Sequence, residues 1–446
     1  MLYRLVKWII QLTLNSYFRR IMVKGYENVP IKEPIIFVAN HPSAFMDPMV
    51  VAAFIKRPLH FMAAAEFFGK GLKSKMYSNY LNMIPVYRPS TLPNETHNNE
   101  VIFRKCYELL GASGALLVFP EGNSITEKRI RKLKTGVARM ALGARENALD
   151  KVEVNVIPVG LNYNNPHRFR SDLFINIGKP LSTKGFSFDK SEVVRFTQEI
   201  EDRLKETTLH VQKEEFDSIV KKVELILRQQ FQVERSTPSQ KENEFVVQKK
   251  VIESLQKISV NEPQRIAKLE LKLDEYLTKL RKLGISDQSI AKLSILMTTG
   301  ELVRLIVTLP FFLIGFLVNA MPYYTTVIYF RKLKLFSREG FEPVQKKVNP
   351  AFKGSIVMAI GMVIFIVWYL TLASGIGWLT TYIWVGLCSL ILFYLSGLFA
   401  MQYIRWFLLF KQKWKFRKLL KKKPALFSSL IIERREIIDA LKLVIE

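Results

Sequence analysis

Pro34-Ile35-Ile36-Phe37-Val38-Ala39 runs directly into Asn40-His41-Pro42-Ser43-Ala44-Phe45-Met46-Asp47-Pro48, an apolar run ending in a polar loop that carries a histidine and a carboxylate. A short apolar run bounded by turn residues reads as a buried strand. The loop at its carboxyl end then offers a general-base pair. A neutral imidazole oriented by a carboxylate takes a proton from a hydroxyl near neutral pH, contributing roughly 10²–10⁴-fold in rate when well placed. On a regular helix, side chains six positions apart diverge by about 240°, so His41 and Asp47 meet only if the residues between them form a turn. Pro42 and Ser43 favour one. His60, His97, His167 and His210 have no such company and read as surface or packing histidines.

Working outward, the same pattern of apolar run and punctuated turn recurs. Ala115-Leu116-Leu117-Val118-Phe119 leads into Pro120-Glu121-Gly122-Asn123-Ser124, followed by Lys128, Arg129, Arg131, Lys132, Lys134-Thr135-Gly136 and the helix-like Val137-Ala138-Arg139-Met140-Ala141-Leu142. A further strand end reads Val154-Asn155-Val156-Ile157-Pro158-Val159-Gly160-Leu161-Asn162, and Leu81-Asn82-Met83-Ile84-Pro85-Val86-Tyr87-Arg88-Pro89 presents an arginine at the exit of a short apolar run. In order and approximate spacing these four segments resemble the phospholipid/glycerol acyltransferase family. Its motifs are a histidine and aspartate in one loop, an apolar run ending in arginine, Phe-Pro-Glu-Gly, and an apolar strand carrying proline. Five residues separate His41 from Asp47 where the common pattern has four, and Asn82 stands where many members have glycine. The fungal-type branch, which acylates glycerol 3-phosphate and dihydroxyacetone phosphate, looks similar in its longer gap and in a Phe-x-Asp-Pro like Phe45-Met46-Asp47-Pro48.

The resemblance implies an α/β domain over residues 29–185, a mixed sheet flanked by helices, that transfers an acyl group from a thioester to an alcohol. Such a donor is already activated, so the chemistry needs a base, oxyanion donors and an acceptor anchor, and no enzyme nucleophile. His41 is the expected base, with Asp47 holding its tautomer. Arg88 suits a phosphate-bearing glycerol acceptor because its planar fork binds phosphate oxygens bidentately. Glu121 is expected either to bind an acceptor hydroxyl or to orient the basic residues after it, and Gly122 permits close approach of a ligand to the main chain. Ser124 and Lys134 are expected to add phosphate contacts. The basic stretch from Lys128 to Lys134 reads equally as a solvated face or a contact with anionic headgroups. No metal and no cofactor is implied beyond acyl-CoA or acyl carrier protein as co-substrate.

Composition agrees with a membrane partner. The 446-residue chain is 49% hydrophobic yet has a formal charge of +27. Nucleic acid is disfavoured as the anionic partner because the basic residues cluster beside apolar spans, with eight Lys/Arg between Lys411 and Lys423. Anionic lipid attracts such a cluster by about 1 kcal/mol per basic residue near the surface. Cys106 and Cys388 form neither a disulfide framework nor metal-site spacing, in keeping with a cytoplasm-facing catalytic part.

The remaining chain divides by character. Residues 1–28 mix Trp8 and aliphatics with Arg4, Lys7, Arg19 and Arg20, predicting an interfacial helix or an amphipathic helix docked on the domain. Residues 186–300 predict a helical insert, with Phe216, Ile219, Val220, Val223, Ile226 and Leu227 at helical spacing and breaks at 236–240 and 284–286. Residues 301–446 predict a membrane region. Spans 354–372 and 377–400 are each long enough for roughly 30 Å of hydrocarbon, joined by Ala373-Ser374-Gly375-Ile376 and flanked by Lys346, Lys347 and the basic tail. Leu302 to Phe330, punctuated by Pro310, Asn319 and Pro322, reads as a kinked or re-entrant pair of short helices, with one tilted span as the alternative, and a final surface helix covers 428–445. Phe54, Phe61, Met62, Phe67 and Phe68 are candidate walls for an acyl-chain groove. The spans lack the ionisable residues that mark a transporter pathway, and a non-catalytic scaffold is the other competing class.

Overall fold

The computed structural model describes residues 2–445 apart from 69–70, 72–73, 76, 79–80, 89–91, 149–151, 213–215, 232–237, 288–289, 291–298 and 333–349. It divides into two compact units, Met1–His210 with Arg338–Ile356, and Val211–Ser337 with Val357–Glu446.

The first unit is built on β2 (Ile35–Ala39), whose five residues are all buried. Strands covered on both faces read as continuous apolar runs, because neither set of alternating side chains meets water. Around it the sheet order is β1-β7-β6-β2-β5-β3-β4, where β1 is Arg20–Lys24, β3 His60–Ala64, β4 Met83–Val86, β5 Ala115–Val118, β6 Asn155–Tyr163 and β7 Asp172–Ile177. A short β8, Leu181–Ser182, pairs antiparallel with β6. From β6 to β4 the strands are parallel, and β7 turns antiparallel to β6. The sheet is therefore mixed, as expected.

Helices α1 (Leu2–Tyr17), α2 (Met46–Phe54), α3 (Asn98–Gly111), α4 (Gly136–Asn147) and α5 (Lys190–Thr207) complete the unit. Ile36, Val38, Leu116, Val118 and Val156 pack with Cys106 and Leu110 of α3, Val137 and Ala141 of α4, and Phe196, Ile200 and Leu204 of α5. Burial in this cluster pushes the Cys106 thiol up to about 12.

Two boundaries differ from those the sequence predicts. Residues 20–24, part of the expected N-terminal helical segment 1–28, form the edge strand β1 instead, in register Ile21↔Leu173 and Val23↔Ile175. The consecutive Ile21, Met22 and Val23 suit a strand, and Asp172 anchors it through Arg19 Nε at 2.8 Å and Arg20 Nη2 at 2.9 Å. Helix α1 docks on the same unit through Gln11 Nε2 to the Ala53 carbonyl at 2.6 Å and through Lys7 to the Ile55 carbonyl, while Leu5 and Trp8 stay exposed. At the other end, α5 belongs to this core rather than to the helical insert, since Phe196, Ile200 and Leu204 complete it.

In the second unit, α6 (Phe216–Phe231), α7 (Pro238–Asn261), α8 (Pro263–Leu283) and α12 (Pro424–Ile445) are helical. Ile219, Val220, Val223, Ile226 and Leu227 are buried as the periodicity predicts. Gly284 ends α8 in the left-handed conformation at φ 61°, as a helix C-cap favours. Of the other expected break, 236–237 lie outside the described residues, and Pro238 opens α7. Arg434 of α12 makes a buried ion pair with Asp287 at 2.9 Å, and Tyr276 of α8 donates to the same carboxylate at 2.6 Å. The final helix is thus packed, not merely laid on the surface.

Helices α9 (Thr299–Lys332), α10 (Lys353–Thr380) and α11 (Ile383–Lys422) are long and apolar enough to cross a membrane. The expected pair of short helices over 302–330 is replaced by the single helix α9, which contains both prolines. Pro322 has no N–H for the Val318 carbonyl, and the Trp368 indole of α10 fills that vacancy at 2.9 Å. The expected turn at 373–376 is helical instead. The chain reverses at Thr381, φ 59°, and Tyr382. The small residues there serve packing, since a Cβ on Gly386 would come within 2.4 Å of the Ala373 carbonyl oxygen. Lys346 and Lys347 lie outside the described residues.

Candidate active site

The carboxyl ends of β2, β5, β3, β4 and β6 share one edge of the sheet, where open α/β sheets bind ligands. His41 follows β2, and its Nδ1 lies 2.8 Å from Asp47 Oδ2. The loop closes because Ala44 takes a left-handed φ of 43°, so α2 begins at Met46 with Asp47 in its first turn. Asp47 is fully buried, and its carboxylate is filled by donors. Oδ2 also accepts the Ser43 N–H at 2.8 Å, and Oδ1 accepts the Tyr163 hydroxyl at 2.8 Å. With Nδ1–H donating to Asp47, the lone pair of the neutral ring sits on Nε2. The His41 ring stacks on Phe119 with centroids 4.1 Å apart, and 17% of its side chain remains exposed against none of Asp47. The imidazole is therefore held on one side and open to a reactant.

The turn after β5 braces this loop. Glu121 Oε1 accepts the His41 N–H at 3.1 Å and Oε2 accepts Arg131 Nε at 2.9 Å. Burial pushes the Glu121 carboxyl up, and Arg131 partly opposes that. Of its two expected roles, orienting a basic residue is the one for which the geometry supplies a partner. Gly122 has φ 80°, and a Cβ there would stand 2.5 Å from Lys134 Nζ, so the lysine lies across the turn. Ser124 is buried rather than aimed at a ligand. Its hydroxyl donates to the His41 carbonyl at 2.8 Å and accepts the Ala44 N–H at 2.7 Å.

Arg88 follows β4, three strands from β2 in the order β2-β5-β3-β4, a separation of roughly 14 Å between strand axes. It is half-buried at the same edge of the sheet. Asn82 enters β4 with φ 53°, a conformation glycine favours and asparagine tolerates. Of the proposed groove residues, Phe54, Phe61 and Met62 are half-buried, Phe68 is buried with its ring edge-on to Tyr77 at 6.0 Å, and the Phe67 side chain lies outside the described residues.

Tyr163, Phe119 and Arg131 were not singled out from sequence as site residues. Tyr163 is the residue immediately after the quoted third strand end. Its burial and the neighbouring Asp47 raise its pKa well above the ordinary phenol value, so it serves as a fixed donor.

A family model described as Acyltransferase matches residues 20–162, from the start of β1 almost to the end of β6. Among curated proteins, glycerol-3-phosphate O-acyltransferase 1 of Saccharomyces cerevisiae is 22% identical over 263 residues, covering 40% of this chain and 34% of that protein. Glycerol-3-phosphate O-acyltransferase 2 of the same yeast is 27% identical over 286 residues, covering 63% and 37%. The chain thus spans little more than a third of the length of these relatives. Among solved structures, the 1-acyl-sn-glycerophosphate acyltransferase PlsC of Thermotoga maritima aligns at 21% identity with a TM-score of 0.32, covering 45% of this chain and 78% of that one. The likeness to the Acyltransferase family over residues 20–162 takes in the loop that places His41 and Asp47 together.

Proposed function

We propose that this protein is a membrane-bound O-acyltransferase of phospholipid biosynthesis. It moves a fatty acyl group from a thioester, acyl-CoA or acyl carrier protein, to a hydroxyl of glycerol 3-phosphate or 1-acylglycerol 3-phosphate. The observation that carries this reading is the 2.8 Å bond between His41 Nδ1 and the fully buried Asp47. The family match and the names of the yeast relatives support the substrate class.

In this reaction His41 Nε2 takes the acceptor hydroxyl proton as the oxygen attacks the thioester carbonyl. Asp47 stabilises the imidazolium that forms. The tetrahedral intermediate collapses with cleavage of the C–S bond, and the departing thiolate recovers the proton from the imidazolium. Arg88 and Lys134 bind the acceptor phosphate, Gly122 leaves room for the Lys134 side chain across the turn, and Glu121 and Ser124 hold the loop. Three apolar helices keep the enzyme at the bilayer, where acyl chains partition. The basic end of α11 favours a cytoplasmic catalytic face through anionic lipid.

The test is to incubate membranes containing the protein with an acyl thioester and a panel of acceptors, and to weigh the products. Acylated glycerol phosphate that disappears in His41→Ala supports the reading. Product on dihydroxyacetone phosphate or an amino-lipid precursor alone would replace the acceptor, and no transfer to any acceptor would leave a membrane scaffold.

A further inference from the structure

Beside the braces already described, a second set of hydrogen bonds reaches the catalytic loop from an unexpected source. The Thr126 hydroxyl donates to the Pro42 carbonyl at 2.8 Å, one residue from His41. Thr126 Oγ1 also lies 3.0 Å from His167 Nε2, and His167 Nδ1 accepts the Gly354 N–H at 3.2 Å. The tautomer follows from these partners. Gly354 is a donor, so Nδ1 carries the lone pair, Nε2 carries the proton, and Thr126 accepts from Nε2 while its own hydroxyl donates to the Pro42 carbonyl. Burial, with Lys353 adding to it, holds the His167 pKa below the ordinary imidazole value, which keeps the ring in this neutral form.

Gly354 lies in the first turn of α10, in the stretch that belongs to the first unit. Two further contacts secure that stretch against the loop region. Phe352 meets Phe45 edge-on with centroids 5.0 Å apart, and Gly354 sits so close to Pro166 that a Cβ would come within 2.5 Å of its carbonyl oxygen. Every donor and acceptor in the chain from Gly354 to Pro42 is matched in direction, and the chain ends beside the imidazole of the proposed base.

We propose that Thr126 and His167 are positioning residues that fasten the loop bearing His41 to the first turn of α10. The inference rests on the reading of His41 as the base. Misplacement of a reacting group by about 1 Å costs on the order of 100-fold, so a loosened loop lowers turnover even where substrates still bind.

The experiment uses the full-length protein in membranes, with acyl transfer to glycerol phosphate as the readout. Thr126→Val and His167→Ala are each expected to lower kcat about 10-fold to 100-fold while KM for thioester and acceptor stays within about twofold. The double variant is expected to be no worse than the poorer single one, because both break one chain. His167→Gln, which keeps a donor near Nε2, is expected to recover part of kcat, and Gly354→Ala to lose kcat by displacing the first turn of α10. Wild-type kcat in Thr126→Val and His167→Ala, multiplicative losses in the double variant, or losses confined to KM would overturn the proposal. Full activity in His41→Ala would instead overturn the base reading, and this inference with it. A dead His41→Ala beside fully active Thr126 and His167 variants removes the positioning role alone.

Discussion

Two of the polar networks in this chain, one around Asp47 and one around Asn319, are built from different chemistry. In the loop after β2, the Asp47 carboxylate collects an imidazole, a phenol and a backbone N–H. Among the apolar helices, Asn319 of α9 donates to the Gly315 carbonyl at 2.8 Å and to Ser396 of α11 at 3.3 Å, and accepts from Tyr369 of α10 at 2.6 Å. The first network contains an acid and a base and leaves one partner partly open. The second is made of neutral groups that satisfy one another between three helices. A Cβ on Gly315 or Gly397 would press on Ser396 or on Asn319, so the helices meet closely at this point. Charge placed in hydrocarbon is expensive, and proteins reserve it for function, whereas a neutral amide and hydroxyls serve association. The contrast accords with the chemistry proposed for the first network and gives the second a part in helix cohesion.

The largest effect expected from breaking this contrast is at His41. Replacement by alanine should lower kcat by roughly 10²–10⁴-fold with the protein still folded and membrane-bound, and undiminished turnover would end the assignment. Asp47→Asn should come close to it, because an amide cannot hold the same tautomer, and the loss should persist at saturating substrate.

Between the two networks in effect stands Asp172, a structural charge. Burial alone would raise its pKa, but the guanidiniums of Arg19 and Arg20 outweigh that and hold the carboxyl far below the usual carboxylate range. A depressed folded pKa gives stability that is present above the ordinary value near 3.8 and is lost as pH falls from there toward the folded value. Asp172→Asn should cost about 2–3 kcal/mol at neutral pH, less than a fully buried pair because both arginines keep some water. Denaturant melts of the variant at neutral and acid pH should show the difference shrinking below pH 3.8. A constant difference would remove the ion pair as its cause.

For Arg88→Ala the expected change is a rise in acceptor KM of about tenfold, with thioester KM little altered, as loss of a charge-assisted phosphate bond implies. Equal rises for both substrates would count against its phosphate role. The smallest effect belongs to the neutral network. Asn319→Leu should cost about 0.6–1.7 kcal/mol in detergent unfolding and leave kcat unchanged in the protein that remains folded. A collapse of kcat at full folding would give this network a part in the chemistry after all.

What was legible in the sequence was local. β2, β5 and β6 announce themselves because apolar runs end in turns, and His41 and Asp47 lie in one loop that only a turn can close. What was not legible depends on partners far along the chain. Strand β1 looks like the end of a basic helix until Asp172, about 150 residues on, supplies its charge partner. Pro310 and Pro322 look like breaks, yet α9 runs through both, with the Trp368 indole meeting the carbonyl that Pro322 leaves free. Tyr163 and His167 gave no signal of their own. One is the last residue of a strand and the other a solitary histidine, and only the fold sets them beside Asp47 and Thr126.

The two cysteines differ in a way that turns the core into a clock. Cys106 is sealed between sheet and helices with its proton held tightly, whereas Cys388 lies on an exposed face of α11. A water-borne alkylating reagent reaches the first sulfur only during moments when the α3 layer lifts from the strands beneath it. In a Cys388→Ala background, the pace of modification therefore measures how often the domain breathes, and bound substrate should slow it.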